Sequence, residues 1–188
     1  MITIPDWEKR AIAEAAHSVC ARRILEIGAF KGETTALLSR LCARHGGYVV
    51  VVDPMRWASK PASFGELVDA WVHPFSYEQA FWKNVNQVGH GNVRLHRRLS
   101  TDPDFVRDPA PELKEFDLAI VDGEHTYSTV LSDLKNWGTR VRQGGLILCH
   151  DVRDRFPGVK RAFAEFGSQN GYLATWPKRG SLGILRRV

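Results

Sequence analysis

The sequence predicts an α/β protein built on one open, doubly wound sheet of seven strands, mostly parallel. Two observations support this prediction. Short apolar runs alternate with longer amphipathic segments along most of the chain, which is typical of successive βα units. Two final apolar segments, 172–176 and 182–186, are joined by a short turn and are expected to pair as an antiparallel hairpin.

Length and composition favour one domain over residues 1–188, beginning with a helical segment in residues 1–20. The chain has 188 residues, of which 44% are hydrophobic and 25% charged, as in ordinary globular domains. No apolar run approaches the roughly 20 residues of a membrane span. The first twenty residues carry charges throughout, unlike a signal peptide. The three cysteines are widely spaced, which disfavours a disulfide framework. We therefore expect a cytoplasmic protein that does not bind a membrane.

The individual elements are predicted from the period of the apolar residues and from the glycines and prolines between them. Strands are expected over 24–27, 48–52, 93–96, 116–121 and 146–149, before the final hairpin. Helices are expected over 3–18, 33–45, 125–141 and 158–166, and from residue 76 onward. The connection 54–75 contains three prolines and two tryptophans and is a candidate lid or substrate wall.

Charged residues directly follow three of the predicted strands. Asp53 follows the second strand, Asp122 the fourth, and His150 and Asp151 the fifth. In an open parallel sheet the ligand binds at the carboxyl ends of the strands, where the strand order reverses. The sequence therefore predicts that these four side chains share one edge and form the functional site.

The turn after the first strand has glycines at positions 28 and 32. It is not a dinucleotide fingerprint, because Phe30 and Glu33 stand where that motif has its second and third glycines. It is not a nucleotide-triphosphate loop, since Glu33 replaces the lysine after Gly32. Asp53 stands 25 residues after Gly28, where a strand-end carboxylate can accept both hydroxyl protons of a ribose. These features predict a nucleoside site.

Four segments together resemble a known family. ILEIGAFKG, VVVVDP, FDLAIVDGEHTY and GGLILCHDV occur in the order and spacing of class I S-adenosylmethionine-dependent methyltransferases, and WPKRGSLGILRR resembles their last hairpin. The D-G-x-H-x-Y and H-D motifs are similar to those of small bacterial enzymes related to antibiotic and macrolide sugar O-methyltransferases. The resemblance implies a Rossmann-like fold and transfer of a methyl group to a small molecule such as a sugar or phenol.

The resemblance also implies roles for residues of the nucleoside site. Glu26, Gly28 and Gly32 would line the methionine end of S-adenosylmethionine, and Asp53 would hold its ribose. Ser100 lies where the family contacts the adenine, although the usual preceding glycine is absent here. Asp122 would border the cofactor as well as the acceptor.

An oxygen acceptor needs a base or a cation to become nucleophilic at neutral pH. His125, three residues after Asp122, is the predicted general base. Asp122 and Asp151 follow neighbouring strands, so their carboxylates can converge on a substrate oxygen or on Mg²⁺. His150 stands where several relatives have an acid, and as a third ligand it would favour Mn²⁺ over Mg²⁺. A divalent metal at Asp122, His150 and Asp151 remains open at this point.

Three other functions also remain open. A nicotinamide-dependent oxidoreductase could share the fold, although the missing glycines disfavour it. A non-catalytic protein could bind the cofactor alone. Residues 153–188 carry eight basic and two acidic side chains, which could attract an anionic substrate or RNA. No aromatic and basic recognition motif accompanies these charges, so nucleic acid is disfavoured, and the sequence leaves a homo-oligomer open.

Overall fold

The structure is a computed structural model that describes residues 4–55, 76–176 and 180–188. Its strands are β1 (Arg23–Ile27), β2 (Tyr48–Val52), β3 (Val93–His96), β4 (Phe116–Val121), β5 (Val141–Cys149), β6 (Tyr172–Thr175) and β7 (Gly183–Arg187). Its helices are α1 (Asp6–Ser18), α2 (Glu33–Ala43), α3 (Ser76–Asn86), α4 (Pro103–Arg107), α5 (Tyr127–Asn136) and α6 (Pro157–Gln169). Single 3₁₀ turns lie at Pro111–Leu113 and Gly138–Arg140.

The seven strands of the described residues form one sheet in the order β3-β2-β1-β4-β5-β7-β6. Strands β1 to β5 pair in parallel, and β7 runs antiparallel to both β5 and β6. This arrangement confirms the predicted doubly wound sheet with its antiparallel hairpin. The strand order reverses between β1 and β4, so their carboxyl ends border the crevice where such sheets bind ligands.

The central strands are apolar on both faces because helices cover both sides of the sheet. Successive residues of a strand point to opposite faces, and β2 illustrates this. Val49 and Val51 are fully buried in one apolar layer with α1, α2 and α3. Val50 and Val52 belong to the other layer, with α5 and α6. The two layers fix the sheet and so fix the residues that follow its strands.

The structure corrects two predicted elements. The helix expected over 125–141 is shorter: α5 ends at Asn136, and Gly138–Arg140 form a 3₁₀ turn. The apolar residues keep a helical spacing through Leu134, Trp137 and Val141, although Val141 already begins β5. The helix predicted from this spacing was therefore too long. The strand expected over 146–149 in turn begins five residues earlier and passes through Gly144 and Gly145.

Smaller differences concern element ends and one short helix. Helix α6 covers 157–169 rather than 158–166, and α4 was not predicted. The Asp102 side chain caps α4 by accepting hydrogen bonds from the backbone N–H groups of Asp104 and Phe105. Apart from its first two residues, the candidate lid 54–75 lies outside the described residues, as do residue 3 and the hairpin turn 177–179. Within the described part of the chain, no helix is both long and apolar enough to cross a membrane.

Candidate active site

The turn after β1 requires glycine at both of its ends. Gly28 has φ +79°, and a Cβ atom there would lie 2.3 Å from the backbone oxygen of Asp122. Gly32 has φ +76°, and its Cβ would lie 2.7 Å from the ring of Phe81. Glycine therefore lets the ends of β1 and β4 meet closely and lets α2 begin against α3. The result is a narrow cradle of backbone at the point where the strand order reverses.

Asp53 connects the tip of β2 to this glycine turn. One carboxylate oxygen accepts hydrogen bonds from the backbone N–H groups of Ala29 at 2.7 Å and Phe30 at 3.1 Å. The other oxygen accepts from the N–H group of Met55 at 2.6 Å. The carboxylate therefore holds the turn in place while also bordering the crevice. A carboxylate has about four acceptor positions, so it retains capacity for a ligand.

Glu26 is buried in β1 next to the same turn, with 1% of its surface exposed. Burial raises its pKa to about 8, and the charges of Asp122 and Asp53 add to this effect. The Thr35 hydroxyl opposes it by donating a hydrogen bond to the carboxyl group at 2.5 Å. A cationic ligand group placed nearby would favour the ionised form. Glu26 is therefore suited to hold an ammonium group.

The crevice is a cavity of about 370 Å³ at the carboxyl edge of the sheet. Such a volume is within the range of small-molecule sites. Five of the predicted site residues line it: Gly28, Asp53, Ser100, Asp122 and His125. Glu26, Gly32, His150 and Asp151 are not among its lining residues. The structure thus brings three of the five nucleoside residues and the predicted base into one cavity, with Asp151 in contact with that base.

Asp133 is a buried acid of this region that the sequence analysis missed. It lies one helical turn after Thr129, which lines the cavity, and 1% of its surface is exposed. Among the described residues, neither of its carboxyl oxygens has a hydrogen-bond partner by geometry. Burial raises its pKa to about 7, and the neighbouring Ser100 opposes the rise. The sequence did contain a signal, because Asp133 follows Val130 at the spacing of a buried helical face.

Asp151 is the centre of a second group of charges, behind the cavity wall. Its Oδ2 lies 2.9 Å from Nε2 of His125, and its Oδ1 lies 2.7 Å from Nη2 of Arg153. Burial raises the pKa of Asp151, but the contacts with His125 and His150 outweigh it and hold the pKa well below its usual range. The residue has φ +58°, a strained conformation of the kind found at functional sites.

His150 lies among three carboxylates. Its Nε2 is 3.0 Å from Oε1 of Glu8, and its Nδ1 is 3.2 Å from Oδ1 of Asp122 and 3.4 Å from Oδ2 of Asp151. Burial lowers the pKa of His150, but the three carboxylates outweigh burial and raise the pKa to about 12. Glu8, from α1, is 2% exposed and was not predicted to belong to the site. Glu8 and His150 are more than 140 residues apart in the sequence, so the sequence alone did not indicate their contact.

The ligand atoms of Asp122, His125 and Asp151 lie within 4.8 Å of one another, a spacing that a metal ion could bridge. Two of the three residues, Asp122 and Asp151, also lie close to other basic side chains. Both oxygens of Asp151 already face basic groups, Arg153 on one side and two histidines on the other. Asp122 likewise faces His150. The predicted third ligand, His150, is not part of this group, in which His125 takes its place.

These features define a class of protein. A doubly wound sheet with an antiparallel last strand, a glycine turn, and an acid at the tip of β2 is the arrangement of a class I methyltransferase. Residues 25–152 match a family model described as a methyltransferase domain. The match covers more than half of the chain, and the chain therefore belongs to this family. The family resemblance and the enzyme class predicted from the sequence are confirmed.

Solved structures support the fold. The O-methyltransferase TomG from Streptomyces achromogenes, in complex with SAM, has a TM-score of 0.68 at 18% identity, covering 100% of this chain and 82% of TomG. An O-methyltransferase from Bacillus cereus in complex with SAH has a TM-score of 0.65 at 17% identity, with coverages of 98% and 81%. The SAH-bound methyltransferase PaMTH1 from Podospora anserina has a TM-score of 0.68 at 14% identity, with coverages of 99% and 80%. No curated protein sequence is similar enough to this chain to count as a match.

Proposed function

We propose that this chain transfers the methyl group of S-adenosylmethionine to an oxygen of a small molecule, such as a sugar or phenol. The observation that carries the proposal is the single cavity that joins the glycine turn and Asp53 to Asp122 and His125. A cofactor bound along the turn would place its reactive end beside the predicted base. The family match and the O-methyltransferases that share the fold support the same reaction.

The cofactor residues form three groups, and two of these residues, Gly32 and Glu26, lie beside the cavity rather than in its lining. Asp53 accepts hydrogen bonds from the ribose hydroxyls, using the acceptor positions that the backbone N–H groups leave free. The cradle of Gly28 and Gly32 lets the methionine end approach the backbone, and Glu26 attracts its ammonium group. Ser100 borders the adenine. Its backbone carbonyl already accepts a hydrogen bond from Trp137 at 2.8 Å, which fixes this segment against α5.

Methyl transfer is an in-line displacement, so alignment of the reactants supplies much of the acceleration. When bound, S-adenosylmethionine would supply the methyl group from its sulfonium to the acceptor oxygen and would be left as neutral S-adenosylhomocysteine. His125 would accept the proton of the acceptor hydroxyl. Asp151 orients this histidine, because the contact at Nε2 fixes the proton there and leaves Nδ1 as the base.

Mass spectrometry with a methyl-labelled cofactor tests the proposal directly. The purified chain is incubated with labelled S-adenosylmethionine and a panel of phenols, catechols and nucleotide sugars, and products are searched for the labelled methyl group. We expect the label on an acceptor oxygen, together with S-adenosylhomocysteine. Label on nitrogen or carbon would contradict O-methylation. Tight binding of NAD with no binding of either adenosyl compound would favour the oxidoreductase instead.

A further inference from the structure

The strongest observation beyond the proposed reaction is the placement of Lys31, in the glycine turn, at the rim of the cavity. We infer that Lys31 binds the carboxylate at the methionine end of the cofactor and so makes the site select nucleosides that carry an intact amino-acid group. The inference rests on the proposed function, because it assigns one more contact to the same cofactor.

The charges around the cavity show why a basic residue is needed there. Among the described residues that line the cavity, Asp53, Asp122 and Glu124 are acids, and none is a lysine or an arginine. This lining suits the sulfonium and the ammonium group of S-adenosylmethionine, which are both positive. The carboxylate of the same molecule is repelled by it unless a cation lies close. We therefore expect a basic side chain at the methionine end.

The backbone of the glycine turn has few donors left for a carboxylate. Glycine turns before helices often bind anions through their N–H groups. In this turn, the N–H groups of Ala29 and Phe30 donate to Asp53. The N–H groups of Gly28 and Gly32 donate to backbone carbonyl oxygens. Since these four donors are already used, the carboxylate needs a side chain as its partner.

Two aromatic rings hold the ammonium group of Lys31 at the rim of the cavity. Its Nζ lies 5.2 Å from the ring centroid of Phe30 and 5.8 Å from that of Tyr77, and both residues line the cavity. These distances are within the range of cation–π contacts. The two ring centroids are 5.2 Å apart, so both rings contact the same cation. Because the lysine is already placed, it loses little side-chain freedom when a ligand binds.

The charge of Lys31 is not neutralised by the described residues. Lys9 and Lys160 lie 3.8 Å and 2.6 Å from an aspartate oxygen. Among residues 4–55, 76–176 and 180–188, no carboxylate forms such a pair with Lys31. Its ammonium group is therefore available to a ligand carboxylate, with which it forms a charge-assisted hydrogen bond.

Lys31 also complements Glu26, the residue proposed to attract the cofactor's ammonium group. Glu26 lies in β1, before the glycine turn, and Lys31 lies near the end of that turn. The ammonium and carboxylate groups of the cofactor are attached to one carbon atom. An acid on one side of the turn and a cation on the other side therefore bind both groups together.

Calorimetry with two nucleosides tests the inference on the full chain and needs no acceptor. S-adenosylhomocysteine and its decarboxylated analogue are titrated into wild type and Lys31→Met, which keeps an unbranched side chain against the rings but removes the charge. We expect Lys31→Met to bind S-adenosylhomocysteine roughly 5- to 20-fold more weakly than wild type, since the contact is partly exposed to solvent. Its affinity for the decarboxylated analogue should equal that of wild type. Lys83→Met, at an exposed lysine of α3, is the matched control and should bind both compounds as wild type does.

Each other outcome has a distinct meaning. Equal affinity of wild type and Lys31→Met for S-adenosylhomocysteine would overturn the inference and leave the proposed function standing. An equal loss of affinity for both compounds would also overturn it, because Lys31 would then only support the cavity wall. If wild type binds neither compound, the proposed function fails, and the inference fails with it.

A variant that keeps the charge completes the test. Lys31→Arg retains a cation that can stack on the same rings. It should therefore bind S-adenosylhomocysteine within about threefold of wild type and keep the preference over the decarboxylated analogue. A loss as large as that of Lys31→Met would show that the positive charge is not what the ligand recognises, which would contradict the inference.

Discussion

Asp117 and Asp122 stand at opposite ends of β4, and their surroundings differ. Asp117 is buried at the amino end, where its carboxylate accepts hydrogen bonds from the backbone N–H groups of Arg22 at 2.9 Å and Arg23 at 2.8 Å. The Arg142 side chain adds a third at 2.7 Å. Burial raises the pKa of Asp117, but these donors outweigh it and the pKa is lowered. Here the protein itself supplies the partners that a buried carboxylate needs.

The acids near Asp122, at the carboxyl end of β4, have fewer hydrogen-bond donors than Asp117. Glu26 and Asp133 are as buried as Asp117, yet their pKa values are raised to about 8 and about 7. The backbone N–H groups of Ala29 and Phe30 are bonded to Asp53, and that of Gly28 is bonded to a backbone carbonyl, so they do not serve these acids. The comparison shows that the amino end of the sheet supplies its buried acid with several donors, while at the other end Glu26 has the Thr35 hydroxyl and Asp133 has no partner by geometry among the described residues.

The largest expected effect lies at the carboxyl end. His125→Ala should reduce turnover by roughly 10²–10⁴-fold, because it removes the proposed general base. Affinity for S-adenosylhomocysteine should stay close to that of wild type, since the base contacts the acceptor. Initial rates and calorimetry on the same preparations provide the measurement, with His17→Ala, an exposed histidine of α1, as the control. If His125→Ala keeps the turnover of wild type, His125 is not the general base, and Asp122 or Asp151 must accept the proton instead.

The next effect lies at the amino end and concerns stability. Asp117→Asn should reduce the free energy of unfolding by about 1–3 kcal/mol, because it removes the buried charge that pairs with the partly exposed Arg23 and Arg142. The affinity of the folded variant for S-adenosylhomocysteine should not change. Urea denaturation and calorimetry below the denaturation range measure the two quantities. If the variant keeps the stability of wild type but loses affinity for the nucleoside, Asp117 serves ligand binding rather than stability, which would contradict the comparison.

A smaller effect of opposite sign is expected at Asp133. Its pKa is raised in the folded state to about 7 from an ordinary value of 3.8, so the folded form binds more protons than the unfolded form between these values. Wild-type stability should therefore fall as the pH rises through this window. Asp133→Asn should be more stable than wild type by about 1–2 kcal/mol above the window, and the difference should shrink below it.

Urea denaturation of wild type and Asp133→Asn at a pH below and a pH above the window measures this effect. Ser132→Ala, at the neighbouring position of α5, controls for general effects of substitution in the helix. If the difference in the free energy of unfolding between the two proteins does not change with pH, folding does not raise the pKa of Asp133. A variant less stable than wild type at both values would mean that Asp133 has partners like those of Asp117.

The sequence predicted those parts of the site that depend on strand ends. Asp53, Asp122 and Asp151 follow apolar runs, and parallel pairing brings such positions to one edge whatever the loops do. The turn of Gly28 was equally visible, because only glycine tolerates the close approach of β4. The boundary between α5 and β5 was not predictable from periodicity, since Trp137 and Val141 continue the helical spacing after the helix has ended.

The sequence could not predict contacts that depend on three-dimensional packing across distant segments. Glu8 looked like one of several polar residues on an amphipathic helix, and only the packing of α1 beside the strand ends brings it to His150. For the same reason His150 was considered as a metal ligand, because the third carboxylate beside it was unknown. Asp133 was hidden by its apolar neighbours, although its place on a buried helical face distinguished it.

Cofactor binding at the glycine turn and Asp53 is tested by a calorimetric titration of S-adenosylhomocysteine into wild type and Asp53→Ala. We expect wild type to bind one equivalent and the variant to bind at least tenfold more weakly, since each hydrogen bond to the charged carboxylate contributes roughly 1.5–3 kcal/mol. Circular dichroism and thermal melting establish that the variant is folded despite losing its contacts to Ala29, Phe30 and Met55. Equal affinity in a folded Asp53→Ala variant, or no binding to wild type, would contradict the account.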